Sequence, residues 1–415
     1  MAFDLIVAQA RIAGEPDRLV DIGIRGGVIA AIEPSLGAAD PVEPVSGCLV
    51  APGFVETHIH LDKSCIVDRC SILAGTLQEA ISETARAKLA FTEEDIFMRA
   101  RRTLEKAIAF GTMHMRTHVE VDPRIGLKGF RAIRRLAAEY AWAIDVEICV
   151  FPQEGLLNDP GTEELLIAAC SEGAGLIGGC PYADTQPIAH IGRIFAIARR
   201  FDVDIDFHLD FDLDASWMHL DEVVRQTRAQ RYGGRVAVGH VTKLSALPPQ
   251  RLIEIAHELA DAGIAVTVLP ATDLFLMGRG SDHNVPRGVT RADRLAEHGV
   301  TCSLATNNVL NAFTPFGDCS LLRMANLYAN VAQLGRQQDL ERCFAMITTS
   351  AADLMKLGRR GVAPGNPADL LVLPCHSPAA AVAEIAQPVA GFKRGRRSFT
   401  RPSAFLNAPG PVAAR

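Results

Sequence analysis

The chain has 415 residues, 48% of them hydrophobic and 22% charged, with a formal net charge of −6. This is ordinary globular composition with no basic run and no aromatic–basic interleaving, so it excludes a nucleic-acid-binding class. No apolar run approaches the roughly 20 residues that cross a bilayer. The ten cysteines include no Cys-x-x-Cys pair and read as buried thiols of a reducing compartment. The opening Met1-Ala2-Phe3-Asp4-Leu5-Ile6 lacks the basic start and long apolar core of a signal peptide, so a cytoplasmic protein is expected.

Along residues 1–50, apolar and polar residues alternate between glycine breaks. Examples are Asp4-Leu5-Ile6-Val7, Val20-Asp21-Ile22-Gly23-Ile24 and Gly27-Val28-Ile29-Ala30-Ala31-Ile32. Such short runs predict antiparallel strands. Ala368-Asp369-Leu370-Leu371-Val372-Leu373 and Pro388-Val389-Ala390-Gly391-Phe392-Lys393 repeat the pattern near the other end. The expectation is one small β-sandwich domain built from residues 1–50 and 358–405, with 406–415 a loosely held tail.

Between them, over 51–357, buried strands alternate with amphipathic helices. The first strand contains Gly53-Phe54-Val55-Glu56-Thr57-His58-Ile59-His60. Others fall at 112–121, 143–151, 175–180, 204–210, 235–240, 265–269 and 301–306. A helix is expected from Thr92, a good N-cap, to Gly111, and others at 127–139, 190–201, 221–230, 248–262 and 291–298. Further helices near 320–334 and 340–356 complete the pattern. Eight strands with intervening helices predict an α/β fold, a (β/α)8 TIM barrel.

A barrel places its chemistry at the carboxyl ends of its strands. Residues two apart on a strand share a face, so His58 and His60 point together. His208 ends the fifth strand and His240 the sixth, which predicts convergence on one metal ion. By the same spacing Asp210 is expected to face the site alongside His208, and Asp62 alongside His60. Asp184, Lys63 and Asp282-His283 lie in loops at the same mouth.

At these residues the chain resembles the amidohydrolase superfamily, cytosine-deaminase-like branch. The resemblance is carried by Ala51-Pro52-Gly53-Phe54-Val55-Glu56-Thr57-His58-Ile59-His60-Leu61-Asp62, Arg116-Thr117-His118-Val119, Phe151-Pro152-Gln153-Glu154-Gly155, His208, His240, Arg287-Gly288-Val289-Thr290-Arg291 and Gly361-Val362-Ala363-Pro364-Gly365-Asn366-Pro367-Ala368-Asp369-Leu370. It implies hydrolysis of a C–N bond, deaminase- or amidase-type, in a small N-heterocyclic or amide-like substrate by metal-activated water. It further implies His58, His60 and His208 as metal ligands and His240 as the polarising catalytic residue, with Gln153 on the substrate's amide edge. One divalent ion is expected, zinc or iron with manganese allowed, because the fourth strand carries no bridging Lys or Glu. A homo-oligomer acting on a small molecule, with no nucleic-acid or membrane partner, completes the implication.

Two positions depart from the family. The metal-binding, proton-accepting Asp of the eighth strand is Asn307, followed by Asn308, and the proton-shuttling Glu three residues after the fifth-strand His is Phe211. An amide ligates weakly and cannot act as a general base near neutral pH. Cytosine itself is therefore not expected as substrate. Asn307 and Asp210 stand as catalytic candidates, Asn307 also as a ligand, and Asn308, Phe211 and Asp184 as substrate-binding candidates. A thiocarbamate-cleaving member of the family is similar in carrying Asn at the eighth strand. The alternative is a degenerate barrel that binds metal or ligand without turnover.

Overall fold

The structure, a computed structural model, describes residues 2–37, 41–358, 361–402, 404, 406 and 407. Most of the expected tail, and the last residue of the expected sandwich span, lie outside them. Eight parallel strands pair in chain order: Phe54–Ile59, Thr112–Glu120, Asp145–Phe151, Leu176–Gly179, Asp204–Leu209, Val236–His240, Ile264–Val268 and Cys302–Leu304. They are called the first to eighth strands below. Every residue of the first strand is buried, as a parallel strand covered on both faces requires. The cylinder closes between strands one and eight at their carboxyl ends. There Asn307 N donates to His58 O at 2.8 Å and His60 N to Asn307 O at 2.9 Å. Closure thus fixes the backbone of Asn307 beside two histidines, whatever its side chain does.

Helices pack outside. Thr92 caps Glu93–Ala109 by accepting from Asp95 N at 3.1 Å. The expected helix at 340–356 is instead two, Gln337–Ala345 and Thr349–Leu354. The backbone between them leaves the helix to serve the barrel: Ile347 O accepts from Val55 N and Met346 O from Leu304 N, at 2.9 and 3.0 Å. Three helices the periodicity did not indicate, Leu77–Lys88, Thr162–Ser171 and Pro270–Leu276, fill the loops after strands one, three and seven.

The two chain ends build a second sheet. Leu49–Pro52 pairs antiparallel with Leu370–Leu373, and Leu5–Ile12 with Glu15–Arg25. Not every pairing is antiparallel as expected, because Val42–Pro44 runs parallel to Leu5–Ile12. Apolar side chains from both ends, among them Val7, Ile22, Ile24, Leu370, Val372 and Phe392, share one core. The sheet is tied beneath the barrel by buried Lys393, which donates to Asp369 Oδ2 at 2.9 Å, Asp145 Oδ2 at 2.8 Å and Met113 O at 3.1 Å.

Candidate active site

Strand alternation aims His58 inward, and His60 lies one residue beyond the first strand's end. His208 is the fifth residue of the fifth strand. His208 Nε2 lies between the other two, 3.0 Å from His58 Nε2 and 3.1 Å from His60 Nε2. A neutral ring nitrogen either donates one hydrogen or offers one lone pair, so hydrogen bonding alone cannot satisfy His208 Nε2 against both neighbours. Ligand atoms on adjacent corners of a coordination sphere with metal–nitrogen bonds of about 2.1 Å stand about 3 Å apart. Burial, then the neighbouring imidazoles and, for His60 and His208, Lys63, push all three pKa values well below the ordinary one, which keeps the rings in the neutral ligating form.

The eighth strand completes the group. Asn307 sits in left-handed backbone, φ 64°, a region Asn tolerates, and this turns its side chain toward the histidines. Its Oδ1 is buried without a partner among the described residues, and its Nδ2 lies 3.5 Å from His240 Nε2. A buried amide oxygen without a partner, on a side chain that reaches His240, fits a cation ligand. His58, His208 and His240 are the histidine trio whose ligand atoms all lie within 4.8 Å of one another among the described residues. None of His58, His60, His208, His240 and Asn307 is more than 2% exposed.

His240 ends the sixth strand at φ 68°, and the β-branched Val241 follows at φ 44°, a strained conformation. Thr290 holds this turn by donating to Val241 O at 2.8 Å. The ring packs against Phe211, with centroids 3.7 Å apart. Its Nδ1 lies 2.6 Å from Asp273 Oδ1. Asp273 is buried in the helix Pro270–Leu276. Burial pushes its carboxyl up, while His240 pulls it down. The sequence reading missed Asp273: an Asp in a first turn looks like a cap, and its partner is 33 residues away. The Asp after Pro270 in the loop of the strand following His240 was the available signal.

Below the three rings, His118 stacks on His58 with centroids 3.8 Å apart. His118 Nε2 stands 3.6 Å from Asp206 Oδ1, and Asp206 takes an ion pair from Arg116 at 2.8 Å. Burial raises the Asp206 carboxyl, but His118 and Arg116 outweigh it and keep the group ionised. Glu56, pushed up to about 7 by burial against its hydrogen bonds, accepts from the backbone of Thr306 and His58 and locks strand one to strand eight.

The other expected site residues have these partners. Asp210 does not continue the alternation: its φ is 48°, and its carboxylate accepts from His219 N at 2.9 Å and Leu220 N at 3.0 Å, at the start of the helix Leu220–Ala229. Asp184 Oδ2 accepts from Leu156 N, Leu157 N and His190 Nδ1 at 2.6–2.9 Å, so it clamps two loops. Asn308 Oδ1 accepts from Asn311 at 2.7 Å and shapes the loop after strand eight. Asp62 is spent on Lys63 N and Glu120 N. Asp282 and His283 lie fully in solvent, paired with each other. Gln153 is brought into the buried group, 3.0 Å from Lys63 Nζ. Phe211 joins Leu276, Met277 and Phe313 in an apolar cluster beside His240.

Residues 126–398 match the Amidohydrolase family. The chain is 28% identical over 404 residues to N-isopropylammelide isopropyl amidohydrolase of Pseudomonas sp. (strain ADP), covering 95% of this chain and 96% of the relative. It is 26% identical over 367 residues to a pterin deaminase of Rhizobium rhizogenes (strain K84 / ATCC BAA-868), covering 85% of this chain and 81% of that one. Among solved structures it is similar to 5-methylcytosine deaminase from Klebsiella pneumoniae, with a TM-score of 0.92 and 27% identity, over 97% of this chain and 99% of that one. With this barrel, these strand-end residues and these relatives, the chain belongs to the amidohydrolase family, as a hydrolase of carbon–nitrogen bonds other than peptide bonds.

Proposed function

We propose that the protein hydrolyses an exocyclic C–N bond of a small nitrogen heterocycle with the help of one divalent ion, zinc, iron or manganese. His58, His60, His208 and Asn307 Oδ1 would hold that ion. The observation that carries the reading is His208 Nε2 at 3.0 and 3.1 Å from the ε2 nitrogens of His58 and His60, with His240 in the same group and a partnerless amide oxygen on Asn307, which reaches His240. A cation held there supplies a Lewis acid and an acidified water near neutral pH.

The chain's own groups then handle the proton. Asp273 accepts from His240 Nδ1–H, so Nε2 keeps its lone pair and faces the cluster. His240 Nε2 takes the proton that the family's Asp takes elsewhere and returns it to the departing nitrogen. Asp273 positions His240 and steadies the charged ring; Asp210 has no part in this. Phe211 replaces a proton-shuttling carboxylate with an apolar ring, which favours substrates whose leaving group needs less help. Gln153 and Lys63 face the heterocycle opposite His240. The relatives' names point the same way, since ammelide, pterin and cytosine are all nitrogen heterocycles.

The proposal includes a two-part chain divided near residues 51 and 358, a cytoplasmic setting and a homo-oligomer, the last checked by light scattering. A panel of amino- and alkylamino-substituted pyrimidines, triazines and pterins, incubated with metal-loaded protein, tests the activity by release of ammonia or amine. Release from at least one is expected. No release from any, with metal bound, would leave a degenerate barrel as the better reading.

A further inference from the structure

A histidine that ligates a metal through one ring nitrogen is ordinarily oriented by a hydrogen bond from the other. His240 is held in that manner, with Asp273 2.6 Å from its Nδ1. His58, His60 and His208 are not. Among the described residues, none of their buried δ1 nitrogens has a hydrogen-bond partner. The direction of these rings therefore rests on what packs against them. For His208 it is Phe151, stacked with centroids 4.6 Å apart and planes 17° apart. For His58 it is His118, stacked at 3.8 Å and 25°.

His118 belongs to the second strand and is wholly buried. Its centroid also lies 5.0 Å from that of His208 and 5.7 Å from that of His60. Its Nε2 faces Asp206 Oδ1 at 3.6 Å. The other Asp206 oxygen accepts from Arg116 at 2.8 Å, and Arg116 donates again to Glu147 at 2.8 Å. An imidazole suits this place, since a phenyl ring would turn carbon toward a buried carboxylate. A third element limits the same His58 ring. A Cβ built on Gly239, in the sixth strand, would come within 3.1 Å of His58 Cε1 and Nδ1. A side chain there would have to displace the ring or the strand.

Building on the proposed metal-dependent hydrolase, we propose that His118 is a positioning residue. Its stack on His58, with the bare backbone of Gly239 as a second limit, aims His58 Nε2 at His208 Nε2 and so at the ion. Asp206 and Arg116 anchor the stacked ring. Direct ligation is the rival role, because His58, His118 and Asp206 also offer ligand atoms within 4.8 Å of one another. A phenylalanine at 118 separates the two, since it can stack but cannot ligate.

The test is zinc affinity by competition with a chelator, and the visible spectrum of the cobalt-loaded protein, both on the full chain. His118→Ala should bind zinc about 10–100-fold more weakly and change the cobalt spectrum. His118→Phe should melt at a lower temperature than the wild type, yet keep its zinc affinity and cobalt spectrum. Gly239→Ala should weaken zinc binding and alter the spectrum as His118→Ala does, and it decides the matter if His118→Ala fails to fold. Wild-type values in both His118→Ala and Gly239→Ala overturn the proposal. So does a His118→Phe that loses zinc as fully as His118→Ala. Turnover is not the readout. These shifts without any C–N hydrolysis would keep the positioning role and remove the hydrolase, whereas hydrolysis with zinc binding unmoved in the variants would do the reverse. A wild type that binds no metal removes both.

Discussion

At the scale of single residues, the proposed function sets His240, partnered by Asp273, against the acceptor that Asn307 lacks. Asn307 cannot take a proton, but His240 can, because Asp273 occupies its other nitrogen. Asp273→Asn keeps the shape and loses the acceptor, so kcat should fall by about 10²–10⁴ while bound metal stays unchanged. A steady-state assay beside metal analysis checks this, and loss of the metal as well would mean that Asp273 is structural. Asn307→Asp adds an anionic ligand and should slow metal loss to a chelator by about tenfold or more. The legible residues were those fixed by a short-range rule. A period of two puts His58 on the inner face, and a strand end explains His208 and His240. The alternation does not extend to Asp210, because it stops where φ turns positive, one residue past Leu209. Asp273 was illegible because its meaning depends on a partner on another strand.

At the scale of elements, the periodic helices and buried strands were readable and the loop helices were not. Pro270–Leu276 spans seven residues, too short for a period to show, yet it carries Asp273. Leu77–Lys88 did have a signal, Thr76-x-x-Glu79, with Thr76 accepting from Glu79 N at 3.2 Å. The loops after strands three and four are joined by Asp184. Burial raises its carboxyl, but His190 and the Leu157 and Leu156 amides outweigh burial and hold it at about 2. A folded value below the unfolded one, near 3.9, means stabilisation that is complete above about pH 5 and lost as the pH falls toward 2. Denaturant melts of wild type and Asp184→Asn from pH 3 to 7 should therefore show a constant gap near neutrality that narrows in acid. A gap that widens in acid would contradict the clamp.

At the scale of the whole molecule, two bodies meet at one buried lysine. Lys393 comes from the chain-end sheet and reaches Met113 O and Asp145 of the barrel, while Asp369 pairs with both Lys393 and His114. Burial raises the Asp369 carboxyl, but His114 and Lys393 hold it well below the usual range. Lys393→Met strands that buried carboxylate and should cost about 3–5 kcal/mol of unfolding free energy, read from denaturant midpoints. The sequence showed that the two ends pair, through matching short strands, but not this clamp, which joins positions 24 and 248 residues apart. The whole account rests on a cation among His58, His60 and His208. Metal analysis of wild type and His208→Ala, each purified without chelator, tests it most directly. We expect about one divalent ion per chain in the wild type and almost none in the variant. A wild type that is metal-free and gains no thermal stability from added zinc, iron or manganese, or a variant that binds as much as the wild type, would contradict it.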